Sequence, residues 1–423
     1  MLQLNYIRDN KEDVISRLAV KNLDARQTIE QILEMDAARR KTQNELDGLL
    51  NEANLLAKQI GELMKTGKKS EAEAMRASSN THKENAKKLE EALKQSEENL
   101  HKTLVLLPNI PSKLVPKGKS PEENETVFSH GEIPLLPDTA QPHWDLITKY
   151  DLIDFELGVK LTGAGFPVYK NRGARLQRAL INYFLDKATA AGYIEVQPPI
   201  LVNEASGYGT GQLPDKEGQM YHVTVDNLYL IPTAEVPITN MYRDVILKST
   251  QLPLKNCGYT PCFRREAGAW GAHVRGLNRL HQFDKVEIVQ VAHPDQSYAI
   301  LEQMREYVAG LLKELELPFR ILKLCGGDMS FSSALTYDLE VYSGAQKRWL
   351  EVSSVSNFET FQSNRLKLRF KDGDSKPQLA HTLNGSALAL PRIVAALLEN
   401  NQTAQGIRIP KVLVPYTGFE LIS

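Results

Sequence analysis

The chain has no proline before Pro108, although it holds 21 in all. Aromatic residues are nearly absent from the same stretch: of 12 Phe, 15 Tyr and 3 Trp, only Tyr6 precedes Phe128. A stretch without helix-breaking proline and without bulky aromatic anchors suits long helices and lacks the usual filling of a globular core. Cysteine is scarce as well. Three in 423 residues make no disulfide framework, so three reduced thiols in a cytoplasmic protein are expected. Cys257 and Cys262 are spaced loosely for zinc, and no structural zinc is expected. No apolar run approaches the roughly 20 residues of a membrane helix. The opening MLQLNYIRDNKEDV lacks the apolar segment of a secretory signal, so no membrane partner is expected. An excess of charge is also missing: 51 Lys and Arg face 52 Asp and Glu, for a net charge of −1. That excludes a uniformly basic nucleic-acid binder and leaves room for local basic patches.

The length suits two or three domains, and the first shows a seven-residue repeat. Ala72, Met75, Ser79, His82, Ala86, Leu89, Leu93, Ser96 and Leu100 are spaced alternately by three and four. Leu46, Leu50, Ala53, Ala57, Ile60 and Met64 follow the same rule, which continues backward through Gln43, Arg39 and Asp36. Each set is the seam of a helix, about 33 residues and about 50 Å long. Gly67 provides a stop, and Ser70 with Glu73 a capping-box start, so the helices are expected as an antiparallel hairpin. Gly67-Lys68-Lys69-Ser70 is no phosphate-binding loop, because the preceding Gly61 is one residue too far away.

Residues 108–142 are rich in Pro, Glu, Ser and Gly and read as a linker. Beyond them, 175–188 has helical periodicity, followed by a strand at 193–196. Strand-like stretches lie at 228–231, 259–264, 281–291, 337–342 and 348–354, with helices at 296–315 and near 388–398. Strands grouped without regular βα alternation predict an α+β body around an antiparallel sheet.

Four constellations in that body carry chemistry. On a strand, Arg264 and Glu266 share a face, where a cation and a carboxylate suit a phosphate and an amino group. Taken alone they are equally a surface ion pair. Phe283 and Glu287 also share a face, suiting a flat base and an ammonium or hydroxyl group. Glu351 and Ser354 suit a divalent cation if phosphates complete its shell, but their spacing of three needs a bulge or strand end between them. Asn384-Gly385-Ser386 and the residues to Arg392 are expected to open the last helix, where backbone N–H groups can meet an anion.

Together these motifs strongly resemble the bacterial seryl-tRNA synthetase family of class II aminoacyl-tRNA synthetases. Motif 1 resembles the 175–186 helix and the strand ending at Pro199, motif 2 runs from Phe263 to Phe283, and motif 3 spans Gly385 to Arg392. Thr233-Ala234-Glu235-Val236-Pro237-Ile238-Thr239-Asn240 resembles the family's serine-binding segment. The resemblance implies an N-terminal tRNA-binding arm in 1–107, a linker in 108–142 and a class II catalytic domain in 143–423. It implies serine–tRNA ligase activity through seryl-adenylate, on tRNA(Ser) and, where present, tRNA(Sec). It also implies a homodimer. Arg264 would contact the α-phosphate and serine, Glu266 the adenine amino group, and Phe283 with Arg392 the adenine. Arg265, Val352 and Ser353 would adjoin ATP, and Glu351 with Ser354 would hold Mg2+. Thr233, Ala234, Glu235, Glu287, Asn384 and Ser386 would surround serine. The sequence departs from the family pattern at Ala272, His273 and Val274 in the motif 2 loop and at Pro391. A carrier-protein ligase and a non-catalytic RNA-binding protein are the rival readings, the first disfavoured by the long arm and the second by the intact charged set.

Overall fold

The structure is a computed structural model of the 423-residue chain and describes residues 1–215, 217–266 and 275–423. It falls into two compact units, one made of Met1–Ala19 with Leu23–Pro108, the other of Val20–Asn22 with Asn109–Ser423.

The first unit is dominated by helix α1 (Arg26–Lys65) and helix α2 (Lys69–Leu104), which pack as a pair. Gly67, at a φ of +79°, turns the chain between them. Its N–H donates to the Met64 carbonyl and that of Lys68 to the Leu63 carbonyl, closing α1 in a Schellman cap. The expected capping box is not used: α2 starts at Lys69, ahead of Ser70, without a side-chain cap. On α2, the nine predicted seam residues are the ones shielded from solvent between 71 and 100. On α1 the register differs. Leu49, Leu56 and Leu63 take the seam, while Leu50 and Met64 are each 41 % exposed and Ala57 is exposed too. The doublets Leu49-Leu50 and Leu63-Met64 fit either spacing, and the alternative that buries three leucines prevails over Leu, Ala and Met. Both helices outrun the expected 33 residues, reaching 40 and 36. The polar stretch of α1 survives because buried Asp36 accepts from Arg39 at 3.0 Å, Arg40 at 3.0 Å and Arg8 at 3.2 Å.

The second unit is built on an eight-stranded sheet. Its elements are β1 (Glu125–His130), α3 (Asn171–Ala190), β2 (Ile194–Glu195), β3 (Leu254–Phe263), β4 (Gln282–Ala292), α4 (Ser297–Glu314), β5 (Phe319–Lys323), β6 (Leu335–Ser343), β7 (Arg348–Asn357), β8 (His381–Ala389) and α5 (Leu390–Asn400). The strand order is β1-β5-β6-β7-β8-β4-β3-β2, antiparallel except where β2 meets β3. The stretch read as a linker thus contributes β1, an edge strand, where proline-rich flanks are tolerated. One face of the sheet is apolar: Val286 and Ile288 of β4, Leu339 and Val341 of β6 and Val355 of β7 pack with residues of α3, α4 and α5 such as Phe184, Leu312 and Ile393. The other face is polar and carries the site.

The seam register on α1 has a direct test. Leu49→Ala should destabilise the helical pair by about 1–2 kcal/mol, whereas Leu50→Ala should stay within about 0.5 kcal/mol of wild type in urea unfolding followed by circular dichroism. The opposite ranking would restore the register expected from spacing.

Candidate active site

Alternation along β4 places Phe283, Lys285 and Glu287 on the polar face, with core-packed Val286 and Ile288 opposite. Beside them on β8, Ser386 is paired with Glu287 and Asn384 with Val289. Asn384 and Ser386 therefore sit within a strand, and the expected helix start comes later, at Leu390. Arg392 is the third residue of α5, inside its first turn. On β7, the ladder with β6 skips a residue: Ser353 pairs with Leu339, and Glu351 with Glu340. The bulge at Val352 is the irregularity that the Glu351–Ser354 spacing required, and it turns both side chains toward one cavity.

One end of the site is a buried acid pocket. Glu287 is 1 % exposed, and its carboxylate meets the Lys285 ammonium at 2.5 Å. Lys285 also donates to the Thr233 hydroxyl at 2.7 Å, and that hydroxyl donates to Glu287 at 3.2 Å. Glu235, at the start of the short helix Glu235–Asn240, accepts from the Gln362 amide at 2.6 Å. Thr382 in turn orients Gln362 through its amide oxygen at 2.7 Å. Burial, reinforced by the Glu287 carboxylate, pushes the Glu235 carboxyl up to about 7. Ala234 is fully buried and packs with Ile238 and Val289.

The other end is a cavity of about 110 Å³ lined by, among others, Arg264, Glu266, Phe283, Lys285, Glu351, Val352, Ser353, Ser386 and Arg392. Arg264 and Glu266 lie just past the end of β3, so strand alternation does not place them. The Arg264 N–H still reaches the His281 carbonyl at 3.0 Å, and its guanidinium stacks 5.2 Å from the centre of the Phe283 ring. Glu266 is ion-paired with Arg279. Arg265 is exposed, held by its N–H to the Gln219 carbonyl, and is not among the cavity-lining residues. Arg392 donates from Nε to the Asn278 carbonyl at 3.0 Å and from Nη1 to the Glu351 carbonyl at 2.7 Å. The segment carrying Asn278 is pinned by buried His143, whose Nε2 accepts from the Leu277 N–H at 2.9 Å and whose Nδ1 meets Glu399 of α5 at 2.8 Å. Gly276 is required there: its φ is +68°, and a Cβ would lie 2.3 Å from His143 Nε2. Ala272, His273 and Val274 lie outside the described residues.

Glu351 also borders a second cavity of about 540 Å³, shared with Ser354, Asp338, Glu340 and Asp328. Among the described residues no three His, Cys, Asp or Glu side chains converge as a metal centre. One buried Asp338 oxygen has no hydrogen-bond partner, and burial with the Glu351 charge drives that carboxyl well above its ordinary range. An all-oxygen set with an unmet buried carboxylate oxygen fits a hard divalent cation that takes its remaining ligands from phosphates.

Lys285, Gln362, Asp338 and His143 were not anticipated from sequence. Lys285 was within reach, since the alternation that pairs Phe283 with Glu287 passes through it. Gln362 and His143 join the site across long sequence separations and carry no local signal.

Glu235 yields a pH prediction. In the folded chain it keeps its proton to about pH 7, against an ordinary value of 4.5, so the folded state binds the extra proton across that window. Stability contributed by this group therefore falls as pH rises from about 4.5 to 7. Glu235→Gln should remove that fall, leaving the variant more stable than wild type above pH 7 by up to about 3 kcal/mol in urea unfolding, and near wild type at pH 5. Parallel pH curves would show that Glu235 is ionised throughout.

The chain is similar throughout its length to known proteins. The profile of the seryl-tRNA synthetase N-terminal domain matches residues 1–111, and that of the tRNA synthetase class II core domain (G, H, P, S and T) matches residues 221–401. Serine–tRNA ligase of Salinibacter ruber is 48 % identical over 424 residues, covering 100 % of this chain and 99 % of the relative. That of Chlorobium luteolum is 45 % identical over 430 residues, with 100 % and 99 % covered. Among solved structures, seryl-tRNA synthetase from Pyrococcus horikoshii complexed with ATP superposes with a TM-score of 0.93 at 34 % identity, covering 100 % of this chain and 99 % of that one. With a polar-faced antiparallel sheet, a paired-helix N-terminal unit and this similarity from end to end, the chain belongs to the seryl-tRNA synthetase family of class II aminoacyl-tRNA synthetases.

Proposed function

We propose that the chain is a serine–tRNA ligase: it activates L-serine with ATP to seryl-adenylate and pyrophosphate, then transfers the seryl group to tRNA(Ser). The observation that carries this reading is the division of charge between the two ends of the site. Buried Glu235, Glu287 and Thr233 lie at one end, and Arg264 and Arg392 line the cavity at the other. A small zwitterion fits across them, with its ammonium at the acids and its carboxylate toward Arg264. Acceptors left over at Glu287 and Ser386 suit the serine hydroxyl. A pocket built to bond that hydroxyl rejects alanine, because its buried polar groups would be left unpaired.

ATP belongs on the side of Arg264, Phe283 and Arg392, with side chains moving to admit it. For adenine to lie on Phe283, Arg264 must leave the ring it now covers, which frees its guanidinium for the α-phosphate and the serine carboxylate. Arg392 borders the opposite wall, tied to Asn278 and Glu351. Glu266 would exchange Arg279 for the adenine amino group. Glu351 and Ser354 would hold Mg2+, with Asp338 nearby, and the ion supplies neutralisation of phosphate charge. No side chain need act as a nucleophile. Fixing the serine carboxylate in line with the α-phosphate and neutralising charge there supply the acceleration.

The paired helices are the tRNA-binding element of this reading, recognising the shape of a long RNA arm. A homodimer belongs to it as well. Near the exposed edge strand β2, with Ile194 63 % exposed, α3 borders a cavity of about 570 Å³ where buried Tyr169 Oη and Gln177 Oε1 lack partners. No described helix is long and apolar enough to cross a membrane. Buried free thiols at Cys257, Cys262 and Cys325 agree with a cytoplasmic setting.

Serine-dependent ATP–pyrophosphate exchange, followed by charging of total tRNA, tests the proposal. Both should occur; absence of exchange refutes activation, and exchange without charging favours a carrier-protein ligase. Deleting residues 31–100 should leave exchange within about threefold while lowering charging by about 100-fold or more, a loss of roughly 3 kcal/mol in transition-state binding. Undiminished charging by the truncated chain would remove the arm from tRNA recognition.

A further inference from the structure

Lys285 has contacts at one end of the site and a position that reaches both. Its ammonium is held by Glu287 at 2.5 Å and by the Thr233 hydroxyl at 2.7 Å, inside the acid pocket. The same side chain lines the cavity of Arg264, Phe283, Ser386 and Arg392. It leaves β4 between Phe283 and Glu287, on the face that both share.

The occupied groups are the ones serine needs. On the reading above, the ammonium of serine goes to Glu287 and Thr233, where the ammonium of Lys285 already stands. Two like charges on the same few oxygens repel strongly in a buried site. A lysine has a flexible four-carbon stem and a compact charge that can turn to a new partner, which a planar guanidinium on a bidentate carboxylate does less readily. The cavity on its other side is where the triphosphate would lie.

We propose that Lys285 is a mobile cation of the activation step: serine displaces its ammonium from Glu287 and Thr233, and the freed ammonium turns along the cavity to the α-phosphate. This rests on the proposed ligase activity and adds a residue to it. In the step, a serine carboxylate oxygen forms a bond to the α-phosphorus while the bond from that phosphorus to the bridging oxygen breaks. Pyrophosphate leaves with the electron pair. Lys285 exchanges no proton in the step; its ammonium neutralises the non-bridging oxygens of the transition state. The arrangement makes the cation available only once an ammonium-bearing amino acid has entered, so ATP bound alone stays unactivated.

Lys285→Met and Lys285→Gln test this through steady-state exchange. Glutamine keeps hydrogen bonds to Glu287 and Thr233 without the charge, so it would rescue a merely structural tether. For the mobile cation, both variants should lose about 100-fold in kcat. The KM for serine should be unchanged or lower, because the competing ammonium is gone. Thermal melting with and without ATP checks that each variant folds and binds nucleotide. A kcat for Lys285→Gln within threefold of wild type, or a raised KM for serine with kcat unchanged, overturns the proposal. Failure of both variants to fold also overturns it, by making Lys285 a tether. Wild type measured alongside keeps the two readings apart: without serine-dependent exchange there, the ligase reading itself fails.

Discussion

A carboxylate as deeply buried as Glu287 has to be partnered, and the ion pair it makes with Lys285 organises the site around it. The pair lies along one strand, on residues two apart, so it needs no distant element to form. Thr233 joins by donating to one member and accepting from the other, which brings the segment before helix Glu235–Asn240 against β4. Glu235 follows as the second acid, and Gln362 with Thr382 supplies its orientation. Without the Lys285 ammonium, two buried acids, Glu235 and Glu287, would repel each other unscreened. With it, the pocket gains a net negative charge only once Glu235 ionises, near pH 7, and on the proposed reading that charge faces the ammonium of serine.

The sheet extends this logic through side-chain parity. Each strand offers alternate residues to the helices and to the site, and a regular ladder could not bring Glu351 and Ser354 to the same side. The bulge at Val352 shifts the parity once, turning both toward Asp338 and Glu340. A second irregularity, where β8 meets β4 between Lys285 and Glu287, sets Ser386 opposite Glu287. Such bulges are positioning devices: the same residue types on an uninterrupted ladder would bury a carboxylate in the apolar core.

How far this was legible in the sequence depends on where each instruction resides. The seam of α2 is readable in full because its nine positions are separated by polar residues and a few alanines, with no competing large apolar side chain. The seam of α1 was half readable, since leucine doublets satisfy two spacings and the choice depends on packing against the partner helix. Asn384 to Ala389 looked like a helix opening from its glycine and small residues, yet it lies between β4 and β7, where neighbouring strands override a weak local preference. The chemistry-bearing residues were recognisable mainly as a set matching a family. Arg264 and Glu266 illustrate the limit: strand alternation predicts that they share a face, but they border the same cavity from beyond the strand.

The acid pocket also shows why local consistency is broken at such a site. Burying Glu235 beside Glu287 works against stability wherever both are ionised, and the chain retains them although a hydrophobic pair would pack there at no electrostatic cost. Gln362, Thr382 and Thr233 orient those acids, and Lys285 pairs with Glu287, which leaves Glu235 without an ion-pair partner among the described residues. On the proposed reading, an entering ammonium takes the oxygens that Lys285 now holds and adds a cation beside Glu235. A ligand that lacks the hydroxyl leaves acceptors unmet at the same place. On that reading affinity and selectivity share one source, the buried acids and acceptors that β4 and β8 contribute to the pocket.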